Sequence, residues 1–218
     1  MEGWAQWAGV ERREAQRQFL KGAATRGLPK KAKQVIYKLL WKRVVWRGPG
    51  GEHACRGCGD SYAGEAEQHV FFECRDARAV WAAVMEKVFG CKEGPSAGEL
   101  MGAGFWREAL VGLPQAKVWR KVWACTLWGL WRRFCEQRFG EEKTEERMLR
   151  WVMGIIVETI RDCILVQVRS AEWGSPTGAE LSEECRRLWA PMGLVRLRGG
   201  LQGAGEDSWI SAGGDAPT

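Results

Sequence analysis

The chain has 218 residues, 28% charged and 45% hydrophobic, which suffices for a domain with its own core. No stretch of about 18 apolar residues is free of charge, which argues against a membrane span. The first residues lack an apolar signal-peptide core, so we expect an intracellular protein of the nucleus or cytoplasm. The net charge is +6, yet residues 1–50 alone carry twelve Lys and Arg against three Glu. This basic end suits a polyanion, either nucleic acid or an acidic lipid face, and a solvated helix surface is the alternative.

The basic end is predicted to form two helices. The first belongs to an N-terminal basic segment, residues 1–27, and ends at the break Gly27-Leu28-Pro29. Pro29 suits the first turn of the second helix, because its missing N–H costs nothing there. The second helix has an apolar face at helical spacing, formed by Ala32, Val35, Ile36, Leu39 and Leu40. A turn at residues 47–51 follows it.

Three cysteines and one histidine fall within 20 residues, in the pattern Cys55-x2-Cys58-x10-His69-x4-Cys74. Three thiolates and one imidazole are a standard ligand set for a closed structural zinc site, so we expect one Zn²⁺ in residues 28–90. Gly57 and Gly59 suit the positive φ values of a Cys-x2-Cys turn. A redox Cys-x-x-C motif would need a preceding strand and a following helix, which the sequence lacks. Idle thiols beside a surface histidine, or His53 as a substitute ligand, are the remaining alternatives.

The rest of the chain is predicted to be helical up to a glycine-rich tail. A helix over residues 76–89 precedes a loop at 90–104, and residues 105–169 are predicted to form an antiparallel helical hairpin with helices at 115–139 and 144–168. The predicted inner face of the first helix is Trp119, Trp123, Leu127, Leu130, Trp131 and Phe134. The predicted buried stripe of the second is Met148, Val152, Ile155, Ile156, Thr159, Cys163 and Val166. Residues 170–218 are expected to be mostly disordered. The fold class is therefore mainly α, with a small zinc-stapled loop before a Trp-rich hairpin.

Residues 28–140 resemble the zinc-binding region that follows the reverse-transcriptase core of non-LTR retrotransposons. The matching pieces are a basic helix with an aromatic residue and Leu-Leu, then Cys55-Arg-Gly-Cys58-Gly, then His69-Val-Phe-Phe-Glu-Cys74, and Trp81 seven residues later. Residues 119–139 are similar to the Trp-rich helix that often follows in these elements. The resemblance implies a role in holding RNA or DNA beside a reverse-transcriptase core, with Cys55, Cys58, His69 and Cys74 as ligands. No Tyr-x-Asp-Asp motif is present, so the chain is similar to a detached C-terminal piece, or to a relic without function.

The leading hypothesis is a non-catalytic zinc module that binds RNA or DNA without sequence preference. Its predicted contacts with phosphate come from cations of the second helix, the turn and the Cys-x2-Cys loop. These are Lys30, Lys31, Lys33, Lys38, Lys42, Arg43, Arg47 and Arg56. A zinc-stabilised scaffold for protein interaction is the alternative. An enzyme is disfavoured, because neither a phosphate-binding loop nor an acid/base constellation appears, and no small-molecule substrate is expected.

Overall fold

The computed structural model describes residues 27–40, 54–62, 66–89, 114–141 and 143–172. The helices there are α1 (Lys30–Leu40), α2 (Ala66–Gln68), α3 (Arg75–Phe89), α4 (Pro114–Phe139) and α5 (Glu145–Glu172), with a π-helical turn (His69–Glu73), called the π turn below, between α2 and α3. The described residues contain no strand beyond a single antiparallel bridge between Ala54 and Ser61. The mainly α prediction is therefore confirmed. Among these helices, none combines the length and apolar character that crossing a bilayer requires.

Several sequence predictions lie outside the described residues. These are the N-terminal helix before residue 27, the turn at 47–51, the loop at 90–104 and the tail beyond residue 172. The helix α5 continues to Glu172, so the first residues of the predicted tail, 170–172, are helical instead.

The helix α1 begins directly after the predicted helix break at Gly27-Leu28-Pro29. The Pro29 carbonyl accepts hydrogen bonds from the backbone N–H groups of Ala32 and Lys33, at 3.1 and 3.2 Å, so Pro29 stands just before the first helical residue. Four residues of the apolar face of α1 are buried, Ala32, Val35, Ile36 and Leu39, and α1 packs against α4. Burial of this face fixes the rotation of α1 and sends its lysines to the opposite face and the flanks.

The helix α4 lies at the centre of the described structure. It packs against α1, α3, α5 and the π turn, and every residue from Val118 to Leu127 except the half-buried Arg120 is buried. A helix surrounded on several sides needs apolar residues around most of its circumference rather than along one stripe. Its tryptophan-rich composition supplies them.

The helices α4 and α5 form the predicted hairpin. Thr144 caps α5, because its Oγ1 accepts a hydrogen bond from the Arg147 N–H at 3.4 Å. The two helices approach closely at Gly129, where an added Cβ would lie 2.5 Å from Cγ1 of the buried Ile156. The absence of a side chain on Gly129 therefore permits the close contact at this crossing.

Three residues of the predicted inner faces depart from expectation. Trp131 and Ile155 are only half-buried, and Val166 is 49% exposed. The predicted stripe on α5 is otherwise buried, as are the other members of the α4 face. Periodicity finds the centre of a buried stripe, but its edges depend on how far the neighbouring helices extend.

Candidate metal centre

Residues 54–62, called the knuckle below, hold the first two cysteines in a tight turn. The backbone N–H of Cys55 donates to the Asp60 carbonyl at 2.7 Å, and the N–H of Gly59 donates to the Cys55 carbonyl at 2.7 Å. Gly59 adopts φ +82°, a left-handed conformation that side chains disfavour. The turn closes on itself, so that both thiols point to the same side.

Gly57 has a different role from the one predicted. It does not adopt a positive φ; instead, a Cβ there would lie 2.4 Å from Oδ2 of Asp76 and 2.9 Å from Nε2 of Gln137. The glycine therefore permits close approach of the knuckle to α3 and α4. Arg56 reinforces this docking, because its Nη1 donates to the Gln137 carbonyl at 3.1 Å.

The π turn positions the second pair of ligands. The N–H of Cys74 donates to the His69 carbonyl at 2.7 Å, which is the i to i+5 bond of a π-helical turn. This wider turn accounts for the His-x4-Cys spacing, because it closes a loop that starts at His69 and ends at Cys74. The following residue, Arg75, begins α3, so the π turn leads directly into a helix.

The four side chains converge as predicted. The ligand atoms of Cys55, Cys58, His69 and Cys74, called the Cys3His cluster below, all lie within 4.8 Å of one another. The Sγ atoms of Cys55 and Cys74 are 3.7 Å apart, and Cys58 Sγ is 3.2 Å from His69 Nε2. A zinc–sulfur bond of about 2.3 Å gives a tetrahedron with a sulfur–sulfur edge of about 3.8 Å. The cluster can therefore hold a metal ion, and His69 presents Nε2 as its ligand atom.

Burial and mutual contact control the protonation of the thiols. The pKa of Cys74 is lowered, chiefly by a hydrogen bond from Cys55, with further contributions from His69 and Arg133. The same hydrogen bond and burial raise the pKa of Cys55, and burial raises the pKa of Cys58. Ligation of a metal ion by all three sulfurs requires the thiols to lose their protons.

Aromatic side chains hold the π turn against the core. The indole Nε1 of Trp81 donates to the Phe71 carbonyl at 2.8 Å, and the rings of Trp81 and Phe72 stack with centroids 6.4 Å apart. Tyr62 stacks on the His69 ring, with centroids 5.3 Å apart. These contacts give the Val-Phe-Phe residues and Trp81 a structural role, since they fix where His69 and Cys74 stand relative to the knuckle.

Arg133, on α4, reaches the cluster, a role that the sequence did not predict. The residue is 1% exposed, and its Nη2 lies 3.5 Å from Cys74 Sγ and 3.4 Å from the Val70 carbonyl oxygen. The available signal was its i+3 spacing from Leu130, which places an arginine on a buried stripe. Spacing alone does not identify what such an arginine faces.

The cations predicted to contact phosphate divide into four groups. Lys30, Lys33 and Lys38 lie on exposed or half-buried parts of α1, and Lys38 Nζ stands 5.9 Å from the ring centroid of Trp131. Lys31 has contacts within the chain, at 3.5 Å from Asp162 Oδ2 and 5.7 Å from the centroid of Trp128. Arg56 is exposed on the knuckle. The fourth group, Lys42, Arg43 and Arg47, lies outside the described residues, as does the alternative ligand His53.

Comparisons of the chain with protein-family models, with curated proteins and with solved structures find no match.

Proposed function

We propose that the chain is a non-catalytic zinc-binding module that binds RNA or DNA without sequence preference. Its resemblance to the region after a non-LTR reverse transcriptase suggests that it is a detached piece of such an element, with a reverse-transcriptase core as a candidate partner. The observation that carries the proposal is the convergence of Cys55, Cys58, His69 and Cys74. The lysine-rich helix α1 packs on α4, the same helix on which the knuckle docks.

Zinc is the metal that best suits the donor set. Three sulfurs and one imidazole nitrogen favour a tetrahedral, borderline-soft ion over the oxygen-seeking Mg²⁺ and Ca²⁺. All four positions are supplied by protein side chains, which is the arrangement of a structural site rather than a catalytic one. Zinc would stabilise the knuckle and the π turn, because their ligands come from two separate segments of the chain.

The zinc proposal is tested by metal analysis of the purified full chain and of two variants. We expect one Zn²⁺ per wild-type chain, a tetrahedral thiolate spectrum after Co²⁺ substitution, and loss of both in Cys74→Ser. Cys135→Ser is the matched control, because Cys135 is a half-buried cysteine of α4 outside the cluster. A wild-type chain that folds without metal and takes up no Zn²⁺ or Co²⁺ would contradict the proposal.

The nucleic-acid proposal rests on the placement of charge. Lys30, Lys33 and Lys38 project from α1, and Arg56 projects from the knuckle, which docks on the C-terminal half of α4. The exposed Arg132 of α4 adds a further cation, whose guanidinium carbon stands 5.8 Å from the ring centroid of Trp128. Cations spread over neighbouring elements suit contacts with phosphates, which give affinity without reading sequence.

Its test is the salt dependence of binding to a labelled single-stranded oligonucleotide, followed by fluorescence anisotropy. We expect log affinity to fall linearly with log salt. The triple variant Lys30→Ala, Lys33→Ala, Lys38→Ala should flatten that slope by about 0.7 for each phosphate that its lysines neutralise in the wild type. Lys87→Ala, an exposed lysine of α3, serves as the control for removal of charge elsewhere. Absence of binding at low salt would refute this part of the proposal and favour the protein-interaction scaffold.

A further inference from the structure

An occupied Cys3His cluster carries a net negative charge in a largely buried place. Three thiolates, one neutral imidazole and one divalent ion sum to a formal charge of −1. Cys55, His69 and Cys74 are buried, and Cys58 is half-buried. An uncompensated charge in such surroundings is costly, so a buried centre of this charge needs a cation beside it.

Arg133 is placed where that cation is needed. It comes from α4, is 1% exposed, and directs Nη2 at Cys74 Sγ from 3.5 Å. The same nitrogen lies 3.4 Å from the carbonyl oxygen of Val70, in the π turn. One guanidinium therefore reaches both a ligand sulfur and the backbone of the segment that holds two ligands.

Arg133 also forms an ion pair with Asp76, without a hydrogen bond between the two side chains. Oδ2 of Asp76 is 3.6 Å from Arg133 Nη1, beyond hydrogen-bond distance, and accepts a hydrogen bond from Gln137 Nε2 at 3.3 Å. Among the described residues, neither Nη1 nor Nε of Arg133 has a hydrogen-bond partner. The hydrogen bonds of this buried guanidinium there are therefore those made by Nη2 with the Cys3His cluster and the π turn.

We propose that Arg133 is the counter-ion of the metal-loaded Cys3His cluster, so that metal binding fastens α4 to the knuckle and the π turn. This inference rests on the proposed metal site and adds a positioning residue outside the ligand set. An arginine close to a thiolate ligand stabilises its ionised form and the anionic complex. Because Arg133 belongs to the central helix, metal affinity and the stability of the helical core become linked.

The test compares Zn²⁺ affinity, measured by chelator competition, in the wild-type chain and in Arg133 variants. We expect Arg133→Met and Arg133→Gln to weaken Zn²⁺ binding by about 10- to 100-fold, the range typical for groups that support metal ligands. Arg133→Lys keeps the charge and should weaken binding clearly less. Arg147→Met is the control, an exposed arginine of α5 outside the cluster, and should bind Zn²⁺ as the wild type does.

A second measurement separates this role from a purely structural one. The melting temperature is recorded with and without Zn²⁺ for each variant, and we expect the neutral Arg133 variants to show a smaller rise on Zn²⁺ addition. If Arg133 served only to pair with Asp76, its replacement would lower the melting temperature of both forms equally and leave Zn²⁺ affinity unchanged. Should Arg133→Met fail to fold, Arg133→Gln, which retains N–H donors, carries the comparison with Arg133→Lys.

The ways in which the two proposals can fail are distinguishable. A wild-type chain that binds no Zn²⁺ refutes the proposed metal site and this inference with it. A wild-type chain that binds Zn²⁺ while the neutral variants bind it equally well, or while Arg133→Lys is as weak as Arg133→Met, overturns the counter-ion role alone. Asp76→Asn should leave Zn²⁺ affinity at least as high as in the wild type, because it removes a competing anion. An equal weakening in Asp76→Asn would also overturn the inference.

Discussion

Two glycine-to-alanine substitutions in the hairpin should change stability in different directions. Gly154, on α5, is exposed, and an added Cβ there would meet none of the described residues within 4 Å. Gly129, on α4, is buried, and its added Cβ would lie 2.5 Å from Cγ1 and 3.0 Å from Cδ1 of Ile156. Ile156 is fully buried, so any movement that accommodates the new methyl group must take place within the core.

The expected magnitudes follow from two opposing effects. Replacing a mid-helix glycine by alanine contributes about 0.8–1.0 kcal/mol through helix propensity alone. Gly154→Ala should therefore raise the free energy of unfolding by about 1 kcal/mol. At Gly129 the same gain is opposed by overpacking, which costs about 1–3 kcal/mol, so Gly129→Ala should be between neutral and about 2 kcal/mol less stable than the wild type.

Urea denaturation followed by far-UV circular dichroism measures both variants against the wild type. The midpoint should shift without a change in the slope, since neither substitution alters the surface exposed on unfolding to any large extent. The difference between the two variants should be about 1–3 kcal/mol, or several degrees in melting temperature. Equal stabilisation by both substitutions would refute the close packing of α4 on α5 at Gly129.

Three further predictions concern the core and its thiols. Trp123→Ala should cost about 3–5 kcal/mol in denaturant unfolding, because Trp123 is 1% exposed; a cost below about 1 kcal/mol would contradict its burial. Trp81→Phe keeps an aromatic ring but removes the hydrogen-bond donor to the Phe71 carbonyl. It should lower the free energy of unfolding by about 1–3 kcal/mol and weaken Zn²⁺ binding in the same preparation. Cys125 and Cys163 are fully buried, with their sulfurs 3.6 Å apart. Mass spectrometry after brief alkylation of the native protein should therefore find both thiols unmodified. Rapid modification would show that the hairpin opens readily.

The sequence by itself determined the features that depend on residues close to one another along the chain. Helical periodicity placed α3, α4 and α5 within a few residues of their observed positions and identified the apolar face of α1. The members of the Cys3His cluster were predictable for the same reason. Each pair of ligands belongs to one short turn, and the ligand types and spacings are those of a tetrahedral site.

Only the tertiary structure decided which side chains from distant parts of the chain contact the Cys3His cluster and the crossing of α4 and α5. Arg133 is 59 residues from Cys74, and its approach depends on the rotation of α4. The sequence around Gly57 predicts a positive φ at this residue. The structure shows instead that the glycine allows the knuckle to dock closely on α3 and α4. The exposure of Trp131 and Val166 was also decided by tertiary packing, because burial at the edge of a stripe depends on the position of the partner helix. Local patterns fix which face of a helix is apolar, but the neighbours of each side chain are set by packing between segments far apart in sequence.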